Sequence, residues 1–335
     1  MNISKPQLYP LTFTPVLKDY LWGGRNLEKI GRALPPGITA ESWEIAAHPH
    51  GTTIVENGPF AGWRLSDVQS QWGLDLIGRK NEWAHNRGKF PLLIKLLDAD
   101  QPLSVQVHPD DAYALHHEGN ELGKTEMWVV LDARPGAKIV LGVKEGTTAA
   151  ILEQAITEGT VESLLHHIPV KRGDYVCVPA GSLHAILGGV LIAEIQQNSD
   201  TTYRVYDWNR LDQKGQSRAL HVKQSLAVIN FEQIEPGLPA AQILQQTEEM
   251  TRYKLCRNRY FNVERVEMVA GARFSGELSG ETLEIWGLLQ GNASLLVGAF
   301  HQTLRPVRFV LLPAALGCFE IISETPATLL RVYVE

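Results

Sequence analysis

Apolar and polar residues alternate along this chain over short runs, and long stretches with the i, i+3, i+4 repeat of a helix are scarce. Short apolar or alternating runs at residues 92–97, 103–107, 127–131, 138–142, 174–178, 191–196 and 202–206 predict strands. Glycine and proline punctuate the gaps between them. Helical patterning is confined to 66–74, 110–118, 148–157, 161–165 and 221–228. Asp110 follows Pro109 and can cap the short helix that carries His116 and His117. Many short strands separated by turn residues predict a mainly β fold, a sandwich or a small barrel.

Between 231 and 251 the alternation lapses, and Glu, Gln and Pro dominate. The expected division is therefore a larger domain at 1–233 with N-terminal additions, a linker at 234–250, and a smaller all-β domain at 251–335. In that last part the runs at 282–289, 293–297, 308–312, 319–322 and 327–334 again have strand character.

Composition narrows the class. An apolar fraction of 44% and a charged fraction of 20% over 335 residues are ordinary for a soluble globular protein. No apolar run approaches the roughly 20 residues of a membrane span, so no membrane partner is expected. The start, Met1-Asn-Ile-Ser-Lys-Pro-Gln, lacks the apolar core of a secretory signal. Cys177, Cys256 and Cys318 are odd in number and widely spaced, which fits small apolar side chains in a reducing cytoplasm. A net charge of −6 argues against nucleic acid. It leaves room for a small anionic substrate, which needs only a few cations inside one pocket.

The candidate chemistry lies in three pieces. These are Ser104-Val-Gln-Val-His-Pro109, Lys124-Thr-Glu126, and a G-x5-P-x-G-x2-H-x3-G pattern through Gly173, Pro179, Gly181, His184 and Gly188. On a strand Ser104, Gln106 and His108 share one face, the interior of a barrel, while Val105 and Val107 point outward. Two imidazoles, the Glu126 carboxylate and the Gln106 amide oxygen make a mixed N/O site suited to zinc or a similar divalent ion. Each histidine alone has a plainer role, a buried ring bonded to backbone; their combination with Gln106 and Glu126 points to a metal. His48, His50, His116, His117, His166 and His167 sit in polar, loop-like or helix-end surroundings that favour solvated or capping roles. Glu194 interrupts the apolar run 190–195, as a tuned acid/base or as a strand-edge carboxylate. Arg204 lies between Tyr203 and Tyr206 and could simply pair with Asp200 or Asp207. Lys95, amid leucines, could be a snorkelling lysine. Lys124, two before Glu126, faces the same pocket on an extended chain.

The 173–188 pattern resembles the second metal motif of the cupin barrels, with Gly188 where Asn is more usual. Further pieces extend the likeness: Pro15-Val-x5-Trp22-Gly-Gly, Glu41-Ser-Trp-Glu44, Pro91-Leu-Leu-Ile-Lys95, Gly123-Lys-Thr-Glu126-Met-Trp, Pro179-Ala-Gly-Ser-Leu-His184, Glu194-Ile-Gln-Gln and Tyr203-Arg-Val-Tyr-Asp207. In this order they resemble the type I mannose-6-phosphate isomerases. Only 57 residues separate Glu126 from His184, so the compact bacterial form is the closer match. The resemblance implies a cupin-type β-barrel or jelly roll with short helices, plus a second, smaller cupin-like unit lacking metal ligands. The segment 305–319 faintly echoes the second motif without a histidine. The implied activity interconverts mannose 6-phosphate and fructose 6-phosphate by metal-assisted proton transfer through an enediolate. It implies one Zn2+ per chain, held by Gln106, His108, Glu126 and His184. Arg204 becomes the catalytic arginine and Glu194 the acid/base. Lys95, Ser104, Lys124 and Arg210 fall at positions that hold or polarise the sugar phosphate, Arg210 standing where lysine is frequent. Two other readings stay open, a sugar-sensing cupin without turnover and a metal-dependent cupin enzyme acting on unphosphorylated sugars. Monomer and homodimer are both compatible with the sequence.

Overall fold

Residues 6–211 and 215–335 are described by a computed structural model, so the first five residues of the amino-terminal stretch lie outside the described residues. The chain forms two units. One comprises Leu17–Ser42 and Lys95–Pro239, the other Met1–Val16, Trp43–Ile94 and Ala240–Glu335. Both are discontinuous in sequence: residues 43–94, inside the segment expected as one domain with 95–233, group with 240–335.

In the first unit the expected alternation becomes two sheets. One has the order Leu165–Pro169, Lys138–Val143, His184–Ile186, Val105–Val107, Tyr203–Tyr206. The other runs Tyr175–Val178, Glu126–Ala133, Val190–Gln197, Leu92–Ala99, Glu41–Ile45, Val16–Lys18. Their facing sides share one core, in which Trp128, Val130, Val176 and Ile192 meet Ile139, Leu141, Ile168 and Ile186. Burying such side chains stabilises by about 1.5–3 kcal/mol each. The outer side of the five-stranded sheet holds Val105, Val107, Val140, Ala185 and Val205. It packs with Leu152 and Ala155 of the helix Ala149–Glu158 and with Leu226 and Val228 of the helix Val222–Val228. The Asp110 side chain caps the helix Asp111–His117, accepting from Tyr113 N at 2.8 Å.

The second unit is also mainly β. A six-stranded sheet (Gln242–Gln246, Met250–Arg257, Asn262–Met268, Ala327–Tyr333, Glu284–Gln290, Arg308–Leu312) accompanies a four-stranded one (Arg273–Leu278, Gly317–Ser323, Ala293–Val297, Phe300–Leu304). Trp286, Phe319, Phe274 and Leu295 lie in its core. Its interior carboxylates are held by cations: Arg252 pairs with Glu264 at 2.9 Å, and Arg331 clasps Glu284.

Two expectations change. The stretch 234–250 contains the strand Gln242–Gln246, paired with Met250–Arg257 and exposed at every position. A strand wet on both faces has no alternation to read. His166 and His167 lie in the strand Leu165–Pro169, an edge strand whose partial exposure tolerates polar residues. Among the described residues no helix is long and apolar enough to cross a membrane. Among the described residues Cys177, Cys256 and Cys318 form no disulfide.

Candidate metal centre

Along three inward-facing rows of the first unit, the side chains change from apolar at one end to polar at the other. Val130 and Trp128 lead to Glu126, Val190 and Ile192 to Glu194 and Gln196, Ala99 and Leu97 to Lys95. Antiparallel register brings the polar ends together, Glu126 opposite Gln196 and Trp128 opposite Glu194. On the facing sheet His184 pairs with Gln106, which pairs in turn with Arg204.

Ligand atoms of His108, Glu126 and His184 lie within 4.8 Å of one another, all three residues buried. His184 Nε2 is 3.3 Å from Glu126 Oε1, and His108 Nε2 is 3.6 Å from Glu126 Oε2. Each imidazole is oriented from behind. His108 Nδ1 donates to the Thr201 carbonyl at 2.8 Å and His184 Nδ1 to the Ser182 carbonyl at 2.9 Å. With the protons on Nδ1, both Nε2 lone pairs are free to coordinate. Burial lowers both histidine pKa values, His184 to about 4 and His108 well below its ordinary value, so both rings are neutral at pH 7. The Gln106 amide nitrogen lies 3.2 Å from His184 Nε2, and a half-turn of the amide presents its oxygen instead. This donor set fits a divalent ion of the zinc type.

Four further charges surround it. Lys124 Nζ is 2.8 Å from Glu126 Oε2 and 3.2 Å from His108 Nε2. Lys95 lies 3.6 Å from Glu41 and 3.8 Å from Glu194. Burial opposes the Lys95 charge, but the carboxylates of Glu41, Glu194 and Asp200 outweigh it and raise the pKa. Burial, reinforced by the Glu126 charge, raises the pKa of Glu194.

A cavity of about 210 Å³ opens here, lined among others by Ser104, Gln106, Lys95, Lys124, Glu194 and Arg204. Ten residues expected at the site therefore divide nine to one. Arg210 is the exception: its guanidinium bonds Asp207 and the Pro102 carbonyl, and it lines a neighbouring pocket with Tyr20 and Leu211. Arg218 lines the cavity instead, and it too binds Asp207, at 2.7 Å. Nothing in the irregular stretch around Arg218 marks it in the sequence. Glu41 stood in a recognised motif without a role, and Asp200 was read only as a partner of Arg204; both line the cavity. Arg204 Nη1 donates to the Ala219 carbonyl, while its buried Nε has no hydrogen-bond partner among the described residues. The lining carries four cations (Lys95, Lys124, Arg204, Arg218) against three carboxylates (Glu41, Glu194, Asp200) in a chain of net charge −6. That local excess favours an anionic ligand.

Comparison with known proteins agrees with this chemistry. A family model, the catalytic domain of type I phosphomannose isomerase, matches residues 11–129. The mannose-6-phosphate isomerase ManA of Bacillus subtilis is 37% identical, covering 93% of this chain and 95% of that protein. The mannose-6-phosphate isomerase of Streptococcus mutans is 39% identical over 94% of this chain and 98% of its own length. Among solved structures, a mannose 6-phosphate isomerase from B. subtilis superposes with a TM-score of 0.84 at 33% identity, covering 97% of this chain and 99% of that one.

Proposed function

Because the chain belongs to the type I phosphomannose isomerase family, we propose that it interconverts mannose 6-phosphate and fructose 6-phosphate. The reading is carried by one observation beyond family membership: the His108, Glu126 and His184 cluster touches Gln106 and Lys124, which line a cavity together with a buried carboxylate and two arginines. Gln106, His108, Glu126 and His184 would hold one zinc ion. When bound, the ion would polarise the oxygens on C1 and C2 of the sugar.

The remaining work falls to the chain's own groups. Glu194 takes a proton from one of the two carbons and returns it to the other, while the hydroxyl proton passes between the oxygens of C1 and C2. Its raised pKa brings it nearer the operating pH, where a carboxylate exchanges protons efficiently. Arg204 keeps its charge throughout and stabilises the negative enediolate. Lys124 and Lys95, 4.0 and 3.8 Å from Glu194, fix its position and bond sugar oxygens together with Ser104. Arg218 joins Arg204 in receiving the phosphate, and Arg210 braces the pair through Asp207. Three cysteines with no disulfide among the described residues suit a reducing compartment such as the cytoplasm.

A coupled assay of mannose 6-phosphate conversion tests the reading, before and after chelation. Activity should vanish with the metal and return with zinc, and free mannose should react far more slowly. No turnover of mannose 6-phosphate would overturn the function, and full activity in verified metal-free protein would overturn the metal's part in it. Equal kcat/KM for the two sugars would favour the free-sugar enzyme.

A further inference from the structure

Trp128 joins the two carboxylates of the centre. Its buried indole Nε1 donates to Glu126 Oε1 at 3.1 Å and to Glu194 Oε2 at 3.2 Å. Among the described residues this is the one hydrogen bond that Glu194 receives, since its Oε1 has no such partner and the lysine ammoniums lie at 3.8 and 4.0 Å. The ring itself is locked by the core around it, with Val130, Val176 and Ile192 in the same cluster and the His184 ring edge-on at 5.4 Å.

The second unit supplies an internal control. Glu284-Ile-Trp286 repeats the spacing of Glu126-Met-Trp128, and Trp286 Nε1 donates to Glu284 Oε2 at 2.7 Å. A bond from Trp to the Glu two residues before it is thus a local consequence of two side chains on one face of a strand. Only Trp128 adds a second acceptor from the neighbouring strand, and that acceptor is the carboxylate facing the cavity.

We propose that Trp128 is a positioning residue for the isomerisation: its indole N–H pins Glu194 Oε2 and so presents Oε1 to the substrate. An indole N–H donates and cannot accept or titrate over the working pH range, so this restraint holds whatever the protonation of Glu194. A side chain with two rotatable bonds in a packed core gives little freedom to the carboxylate it holds. Near-attack geometry at the reacting carbon depends on such restraint. The proposal rests on the isomerase reading above.

The test compares parent, W128F, E194Q and the W128F/E194Q double variant, with zinc content measured in each. A second replacement at position 128, benzothienylalanine, keeps the bicyclic ring and substitutes sulfur for N–H, which covers the case in which W128F fails to fold. Removing the N–H by either route should lower kcat by about 10- to 100-fold, with KM for mannose 6-phosphate and zinc content close to the parent's. In the E194Q background W128F should cost about two-fold or less, because the group it positions no longer acts as a base. An equal cost in both backgrounds would overturn the proposal, as would a benzothienylalanine protein of parental kcat, or zinc lost in proportion to activity. A parent protein with no mannose 6-phosphate turnover overturns the functional reading and this proposal with it; parental turnover separates the two failures.

Discussion

Glu194, the proposed base, shows at the scale of one residue how a fold tunes a carboxyl. Exposed, its carboxyl would titrate at about 4.3; burial, with the Glu126 charge nearby, raises it. The sign follows directly: a base is lost as pH falls through its pKa, so kcat/KM should decline on an acidic limb placed above the ordinary glutamate range. E194Q should lower kcat by about 10²-fold or more while keeping its zinc. Zinc loss in E194Q, read by metal analysis, would reassign the residue as a ligand. The proposed phosphate contacts give a second test. Charge-assisted bonds contribute about 1.5–3 kcal/mol, so R218A should lower kcat/KM for mannose 6-phosphate by roughly 10- to 100-fold, and R210A by less. The opposite order would return the phosphate to Arg210. Of these residues Glu194 stood out as a charge inside an apolar run, though its role was implied only by the family resemblance. Arg218 was not, because it reaches the cavity from an irregular segment whose only order comes from tertiary contacts such as Asp207.

Strands were legible where one face is buried and the other packs on something different. The row of Gln106 and His108 against Val105 and Val107 separates interior from helix-covered exterior, and the structure keeps that division. Legibility failed for Gln242–Gln246, wet on both sides, and for the discontinuous units, since pairing across distant segments leaves no local pattern. The turn before His184 can be probed directly. Gly181 has φ +87°, and a Cβ there would stand 2.9 Å from the Val228 carbonyl oxygen. Its N–H bonds the His108 carbonyl at 2.9 Å, tying the turn to the strand of the other imidazole. G181A should cost about 1–2 kcal/mol from the left-handed backbone alone. Because the strain falls three residues before His184, zinc affinity should weaken along with thermal stability. A lower melting temperature with undiminished affinity, measured by competition with a chelator, would show the turn to be structural without being part of the centre.

Across the whole molecule the ion should act as a folding ligand. Glu126, His108 and His184 converge only in the folded chain, on strands far apart in sequence, so the unfolded chain offers no preformed site. An ion that binds one state and not the other stabilises it by RT ln(1 + [L]/Kd), about 2.7 kcal/mol at a hundredfold excess over Kd and about 4 at a thousandfold. The second unit provides the contrast, since its interior Glu264 and Glu284 already have Arg252 and Arg331 as counter-charges and need no ion to balance them. Thermal scans at rising free zinc should therefore shift the transition of the unit that holds the cluster upward with the logarithm of concentration. E126A should abolish that shift, having lost the carboxylate both imidazoles face. A melting curve indifferent to zinc in the parent protein, or an equal shift in E126A, would mean that the ion does not bind at this cluster.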